Sequence, residues 1–100
     1  MVVAQVRAVE EGKSLVVRSE NQRLLLAKSS GKFFALDDRC THDEGPLGEG
    51  NVEGNTVRCP RHGACFDLAT GAALCAPAYV GVMTYPVRVT GENVEVYFRD

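Results

Sequence analysis

The chain has little of several things that would set its function class at once. It has no long apolar run: the longest nearly apolar stretch, "AALCAPAYVGVM" at 72–83, is interrupted by Pro77 and Gly81 and is too short to span a bilayer. It opens "MVVAQVRAVEEGK", without the basic start, apolar centre and small-residue cleavage site of a secretory leader, so a cytoplasmic location is expected and no membrane partner. Basic excess is also missing. With a formal net charge of -2 the chain lacks the cationic face that displaces counterions from phosphates, which argues against nucleic acid as a partner. Helical periodicity does not persist over any useful window, and there are only two histidines.

What is present is an ordinary globular composition, 45% hydrophobic and 24% charged, in 100 residues, which is enough for one domain with one core. Glycine or asparagine turns recur between short runs rich in Val, Leu, Phe and Tyr, the pattern of antiparallel strands. The expected strands are 2–9, 14–19, 23–29, 32–37, 56–59, 64–68, 72–75, 85–90 and 93–98. The last two read as a hairpin about Gly91-Glu92, with Val87 and Val89 alternating against Arg88 and Thr90. This is an all-β chain of about nine strands by turn count. The exception is "DRCTHDEGPLGEGNVEG" at 38–54, too long and too rich in glycine, proline and acid for a hairpin turn, and long loops in small domains tend to be functional.

Both histidines stand close to a cysteine. Cys40-Thr41-His42 and Cys59-Pro60-Arg61-His62 are separated by the sixteen residues 43–58, giving C-x-H followed by C-x-x-H. Taken singly, each histidine reads as a solvated loop residue and each cysteine as a buried filler. Taken together, two thiols and two imidazoles from two short loops make a four-ligand metal site of mixed softness. Structural zinc takes the same ligands, but its motifs usually pair like with like and leave at least two residues between members. C-x-H is tight for one ion and better suited to two adjacent irons, with one member of each pair on each iron.

At these residues the chain resembles the Rieske family. "CTHDEGPL" and "CPRHGACFDLATG" are similar to its two cluster-binding loops, including the glycine after the second histidine and the Phe-Asp-x-x-Thr-Gly hairpin, and "CAPA" at 75–78 is similar to its covering proline loop. The resemblance implies one [2Fe-2S] cluster, with Cys40 and Cys59 on the inner iron and His42 and His62 on the outer. It implies an antiparallel β-sandwich, with residues 1–37 and 79–100 as its base and 38–78 as a smaller cluster-binding subdomain formed by two loops. Rieske subunits of cytochrome bc complexes carry an extra cysteine in each loop, where this chain has Gly45 and Arg61. They also place serine and tyrosine hydroxyls on the cluster sulfurs, where this chain has Ala64 and Phe66. Fewer hydrogen bonds to sulfur predict a potential at the low end of the Rieske range, about -150 mV.

Rieske oxygenases also need a mononuclear iron held by two histidines and a carboxylate, and the cluster already uses both histidines of this chain. The chain is therefore expected to be no enzyme but a monomeric one-electron carrier. The resemblance implies an NAD(P)H-dependent flavoprotein reductase as donor and a terminal oxygenase as acceptor, either an aromatic-ring dioxygenase or a diiron monooxygenase. Alternatives are a nitrite-reductase small-subunit-like Rieske protein and a zinc-stabilised Cys2His2 module without redox role. Docking is expected around Asp43, Glu44, Pro46, Leu47, Arg61 and Pro77. Cys65 and Cys75 flank the Thr70-Gly71 turn as neighbours across a hairpin, and a reducing cytoplasm favours two buried thiols there over a disulfide.

Overall fold

Four consecutive residues, Leu24, Leu25, Leu26 and Ala27, are all buried, although a strand turns alternate side chains to opposite faces. Such a run requires a strand covered on both sides, and the layering supplies it. The computed structural model describes residues 2–19, 22–39, 47, 51–59, 63–76 and 78–97. Among these, eleven strands run in chain order as β1 (Val2–Gln5), β2 (Ser14–Ser19), β3 (Gln22–Ser29), β4 (Lys32–Asp37), β5 (Asn51–Glu53), β6 (Thr56–Arg58), β7 (Cys65–Asp67), β8 (Ala73–Cys75), β9 (Thr84–Tyr85), β10 (Val87–Thr90) and β11 (Asn93–Val96). They form three antiparallel sheets, ordered β1-β11-β10, β2-β3-β4-β9 and β5-β6-β7-β8.

The second sheet is the middle layer. Leu24 and Leu26 of β3 join Ala35, Tyr85, Val94, Val96 and Val9 in a core shared with the first sheet. Leu25 and Ala27 join Leu36 in a second core containing Leu47, Val57, Cys59, Ala64, Phe66, Leu68, Ala78 and Val82, which lies against the third sheet. Each fully buried leucine in these cores contributes about 1.5–3 kcal/mol relative to exposure. The all-β antiparallel reading is borne out, and among the described residues no helix is long and apolar enough to cross a membrane.

Several boundaries differ from the expected ones, and three of the differences change the architecture for a local reason. The first strand stops at Gln5 and passes into a single 3-10 turn at Val6–Ala8. The expected strand 85–90 is broken by Pro86, which has no N–H for a ladder, and the chain changes sheets there: Tyr85 pairs with Ala35 while Val87 pairs with Val96. Within 38–54, Asn51–Glu53 pairs with β6 as an additional short strand.

Candidate metal centre

Where β4 ends, Asp38 is buried and its carboxylate Oδ1 accepts the Leu47 N–H at 2.8 Å. The main-chain N–H of Asp38 donates to the Arg23 carbonyl at 3.0 Å, and Arg23 Nη2 donates back to the Asp38 carbonyl at 3.2 Å. Arg23 Nε lies 3.7 Å from Asp38 Oδ2. Two positions nine residues apart are thereby fixed to each other and to β3, and they bracket the sequence that carries Cys40 and His42. Composition offered no sign of this: among thirteen acids, only the requirement that a buried carboxylate be fully bonded singles out Asp38.

Leu47 corrects an expectation. It was expected on a docking surface, but it has no exposed area and belongs to the core below the third sheet, so it anchors the loop instead of facing a partner. Cys40, His42, Asp43, Glu44, Gly45, Pro46, Arg61, His62 and Pro77 lie outside the described residues.

Of the four expected ligands, Cys59 is described. It is 1% exposed, carries a free thiol, and shares its apolar core with Leu36, Leu47, Val57, Ala64 and Phe66. The main chain closes the second loop on itself, the Cys59 N–H donating to the Ala64 carbonyl at 2.7 Å and the Gly63 N–H to the Cys59 carbonyl at 3.1 Å. Gly63 makes the turn with φ +77°, a left-handed conformation suited to glycine, and Arg58 Nη1 donates to its carbonyl at 3.0 Å. A soft sulfur held inward in a dry pocket fits an inner, cysteine-ligated iron. Ala64 and Phe66 are fully buried in the same core and bring no hydroxyl to it.

The Phe-Asp-x-x-Thr-Gly segment proves to be a buttress. Asp67 Oδ1 accepts the Ala69 N–H at 3.0 Å, Thr70 Oγ1 accepts the Ala72 N–H at 3.2 Å, and the Gly71 N–H donates to the Asp67 carbonyl at 2.8 Å. Gly71 then accepts the Val82 N–H at 2.8 Å, which seats the 78–82 segment on this turn. Its φ is +77°, and a Cβ there would overlap the Val82 carbonyl oxygen, so two independent constraints demand glycine.

Cys65 and Cys75 correct a second expectation. They are direct register partners across β7 and β8, their Cα atoms are 4.8 Å apart, and they are joined as a disulfide. That separation is within the range a disulfide bridges. Cys65 is fully buried while Cys75 keeps some exposure, so the pair is not two buried thiols.

With this geometry in place, comparison with known proteins is decisive. The sequence matches the Rieske [2Fe-2S] domain over residues 1–86. The chain belongs to the Rieske [2Fe-2S] family. It is 39% identical over 88 residues to the ferredoxin component of the naphthalene 1,2-dioxygenase system of Pseudomonas aeruginosa, covering 88% of this chain and 85% of that protein. In three dimensions it is similar to the Sphingomonas yanoikuyae B1 ferredoxin, with TM-score 0.93, 33% identity, and 99% of this chain and 98% of the other covered. It is also similar to a chain in a complex of reduced oxygenase and oxidised ferredoxin in carbazole 1,9a-dioxygenase, with TM-score 0.91, 28% identity and coverage of 96% and 90%. The Rieske domain thus accounts for nearly the whole chain. The protein is a ferredoxin-type electron carrier with a [2Fe-2S] cluster, and not itself a catalytic subunit.

Proposed function

We propose that this Rieske ferredoxin holds its cluster through Cys40, His42, Cys59 and His62, and that it carries single electrons from an NAD(P)H-dependent flavoprotein reductase to a terminal oxygenase in the cytoplasm. The observation that carries the ligand assignment is Cys59: a free thiol, buried in an apolar core, at the start of a loop closed by its own main chain. The naphthalene dioxygenase component named above supports an oxygenase as acceptor. Residues 38–78 form the cluster-binding part and 1–37 with 79–100 the base, and the carrier works as a monomer.

Bound at these four residues, the cluster supplies a site for one electron. The chain's own residues supply the fixed frame around it. Cys59 and Cys40 would hold the cluster through sulfur, and Asp38 fixes the first loop through Leu47. Arg58 and Gly63 fix the second, and the 67–71 turn supports the segment that follows. Such restraint keeps rearrangement small when charge changes by one. His42 and His62 would complete the ligand set through imidazole nitrogen, and the ring nitrogen each leaves free would be available to hold a proton, which would link potential to pH. Partners dock around them against Asp43, Glu44, Pro46, Arg61 and Pro77.

The test is spectroscopic and functional together. The purified protein is expected to be red-brown, and after reduction to give an electron paramagnetic resonance signal with average g of about 1.9, reflecting mixed His and Cys ligation. Rapid mixing of reduced protein with an aromatic-ring dioxygenase should reoxidise it. A colourless protein with stoichiometric zinc, prepared with iron in excess, would refute the reading.

A further inference from the structure

We propose that Cys65 and Cys75 form a reversible redox site, opened by a dithiol and closed by a disulfide oxidant, whose state sets how firmly the second loop keeps its cluster. The inference rests on the cluster assignment given above. Its geometry is independent of that assignment.

Cys65 begins β7 and follows Gly63 by two residues, while Cys75 ends β8 and precedes Pro77 by two. A single covalent bond therefore joins the exit of the second loop to the start of the segment that resembles a cluster cover. The strand carrying Cys75 is weakly held without it. β8 is an edge strand of three residues whose register with β7 shifts between Cys65 and Phe66, leaving Leu74 outside the pairing and 57% exposed.

The two sulfurs are unequal, which gives the reaction a direction. Cys65 has no exposed area and Cys75 is partly exposed, so an incoming thiolate meets Cys75 Sγ. The Cys65–Cys75 bond breaks, a mixed disulfide forms on Cys75, and Cys65 leaves inward as a thiolate and takes a proton. The second thiol of the reductant then attacks the mixed disulfide, releasing Cys75 as a thiolate that is protonated in turn. Two electrons pass to the pair and the dithiol becomes a disulfide. Oxidation by a disulfide reverses each step.

The reduced state has a place prepared. Cys65 Sγ lies 3.4 Å from the Gly63 carbonyl oxygen, a contact that is a hydrogen bond only when the sulfur carries a proton. Arg58 already donates to that oxygen, so reduction adds a second donor at the residue next to His62 and removes the tie to β8. A disulfide that forms in a reducing compartment is usually transient and catalytic or redox-sensing rather than structural.

The experiment uses the aerobically purified holoprotein, before and after dithiothreitol. Alkylation of the unfolded chain followed by mass measurement is expected to leave Cys65 and Cys75 unlabelled before reduction and to label both after it. Bleaching of the visible absorption by EDTA is expected to be at least about threefold faster after reduction. Cys75→Ser should bleach at the faster rate and no longer respond to dithiothreitol, which separates opening of the bond from direct attack on the cluster. If that variant does not fold, the wild-type comparison stands alone. Free thiols at both positions before reduction, or equal bleaching once both are labelled, would overturn the proposal. A colourless protein whose pair is still unlabelled fails the cluster assignment, and with it the loop-holding role, while leaving the disulfide itself standing.

Discussion

Arg23 and Asp38 are joined through both main chain and side chain: each offers its carbonyl to a donor of the other, and the guanidinium Nε lies 3.7 Å from Oδ2. Because Asp38 Oδ1 also accepts the Leu47 N–H, this pair controls where the first loop departs and where it returns. The two functions of the carboxylate are separable. Arg23 is 41% exposed, so water screens the ion pair and its loss costs less than about 1 kcal/mol. Asp38→Asn, which keeps the Oδ1 acceptor, should be only mildly destabilised. Asp38→Ala strands the buried Leu47 N–H and should lose about 1–3 kcal/mol more. Urea unfolding of both variants measures the difference, and equal losses would show that the bond to Leu47 is unimportant.

Cys59 provides the direct test of the ligand set. Cys59→Ala removes a buried sulfur at little cost in shape, so the apoprotein should still fold, with the strand signature of the wild type in circular dichroism. It should nevertheless lose the Rieske absorption entirely, as should His42→Ala and His62→Ala. Cys65→Ala should keep the spectrum although it retains the cluster for a shorter time. Iron analysis beside the visible spectrum checks each variant, and a Cys59→Ala protein with an unchanged spectrum would remove Cys59 from the ligands.

The sequence carried the chemistry further than the architecture. The Cys/His spacing and the Phe-Asp-x-x-Thr-Gly segment are local, so chain order alone displays them. The run Leu24–Ala27 announced a strand, but its burial on two faces depends on the third sheet packing behind β3, a relationship between residues far apart in sequence. Leu47 was misplaced for the same reason: in a loop of acids and glycines an isolated leucine looks like a surface contact, and only its seat beside Val57 and Phe66 shows otherwise. Pro86 stood inside the expected strand 85–90, and its role as a corner between sheets shows only when both partners of the divided strand are known. For Cys65 and Cys75, the compartment argument outweighed a spacing that already placed them across a hairpin, and the register reversed the balance.

Ala64 offers a test of how the potential is set. It is fully buried in the core that holds Cys59, and its position matches the serine of the high-potential relatives. The wild-type midpoint should lie at about -150 mV, and Ala64→Ser should move it upward by adding a donor toward a cluster sulfur. Redox titration followed in the visible spectrum reads both values. A wild-type midpoint above zero would contradict low tuning, and a downward shift in the variant would contradict the role given to the hydroxyl.

Gly71→Ala tests the buttress. The left-handed backbone alone costs a side-chain-bearing residue about 1–3 kcal/mol, and the overlap of its Cβ with the Val82 carbonyl adds to that. The variant is expected to unfold at lower urea than Gly12→Ala, whose glycine has nearly the same φ, +76°, but whose Cβ would meet nothing within 4 Å. The gap between the two variants isolates the packing contribution from the conformational one. Equal midpoints would mean that the 78–82 segment moves aside without cost.

Glu11 gives the fold a pH dependence remote from the cluster. The β3–β4 turn holds Ser30 at φ 55° and Gly31 at φ 75°, and this turns two successive N–H groups toward one point. Glu11 occupies it, Oε2 accepting from Ser30 at 2.7 Å and Oε1 from Gly31 at 2.9 Å. The Gly31 N–H first, then that of Ser30, holds the carboxyl below its ordinary value of 4.5, with Lys28 adding a smaller pull in the same direction. A carboxyl lowered on folding stabilises the folded state fully above its unfolded value, and that contribution disappears as pH falls through the lowered one. Glu11→Gln keeps one acceptor oxygen and loses the titration. Its melting temperature should therefore lie below the wild-type value at neutral pH, and the two should converge as acid protonates Glu11. Thermal unfolding of both proteins from neutral pH to below the ordinary carboxylate range measures this, and a gap that stayed constant or widened in acid would show that the turn does not hold the carboxylate.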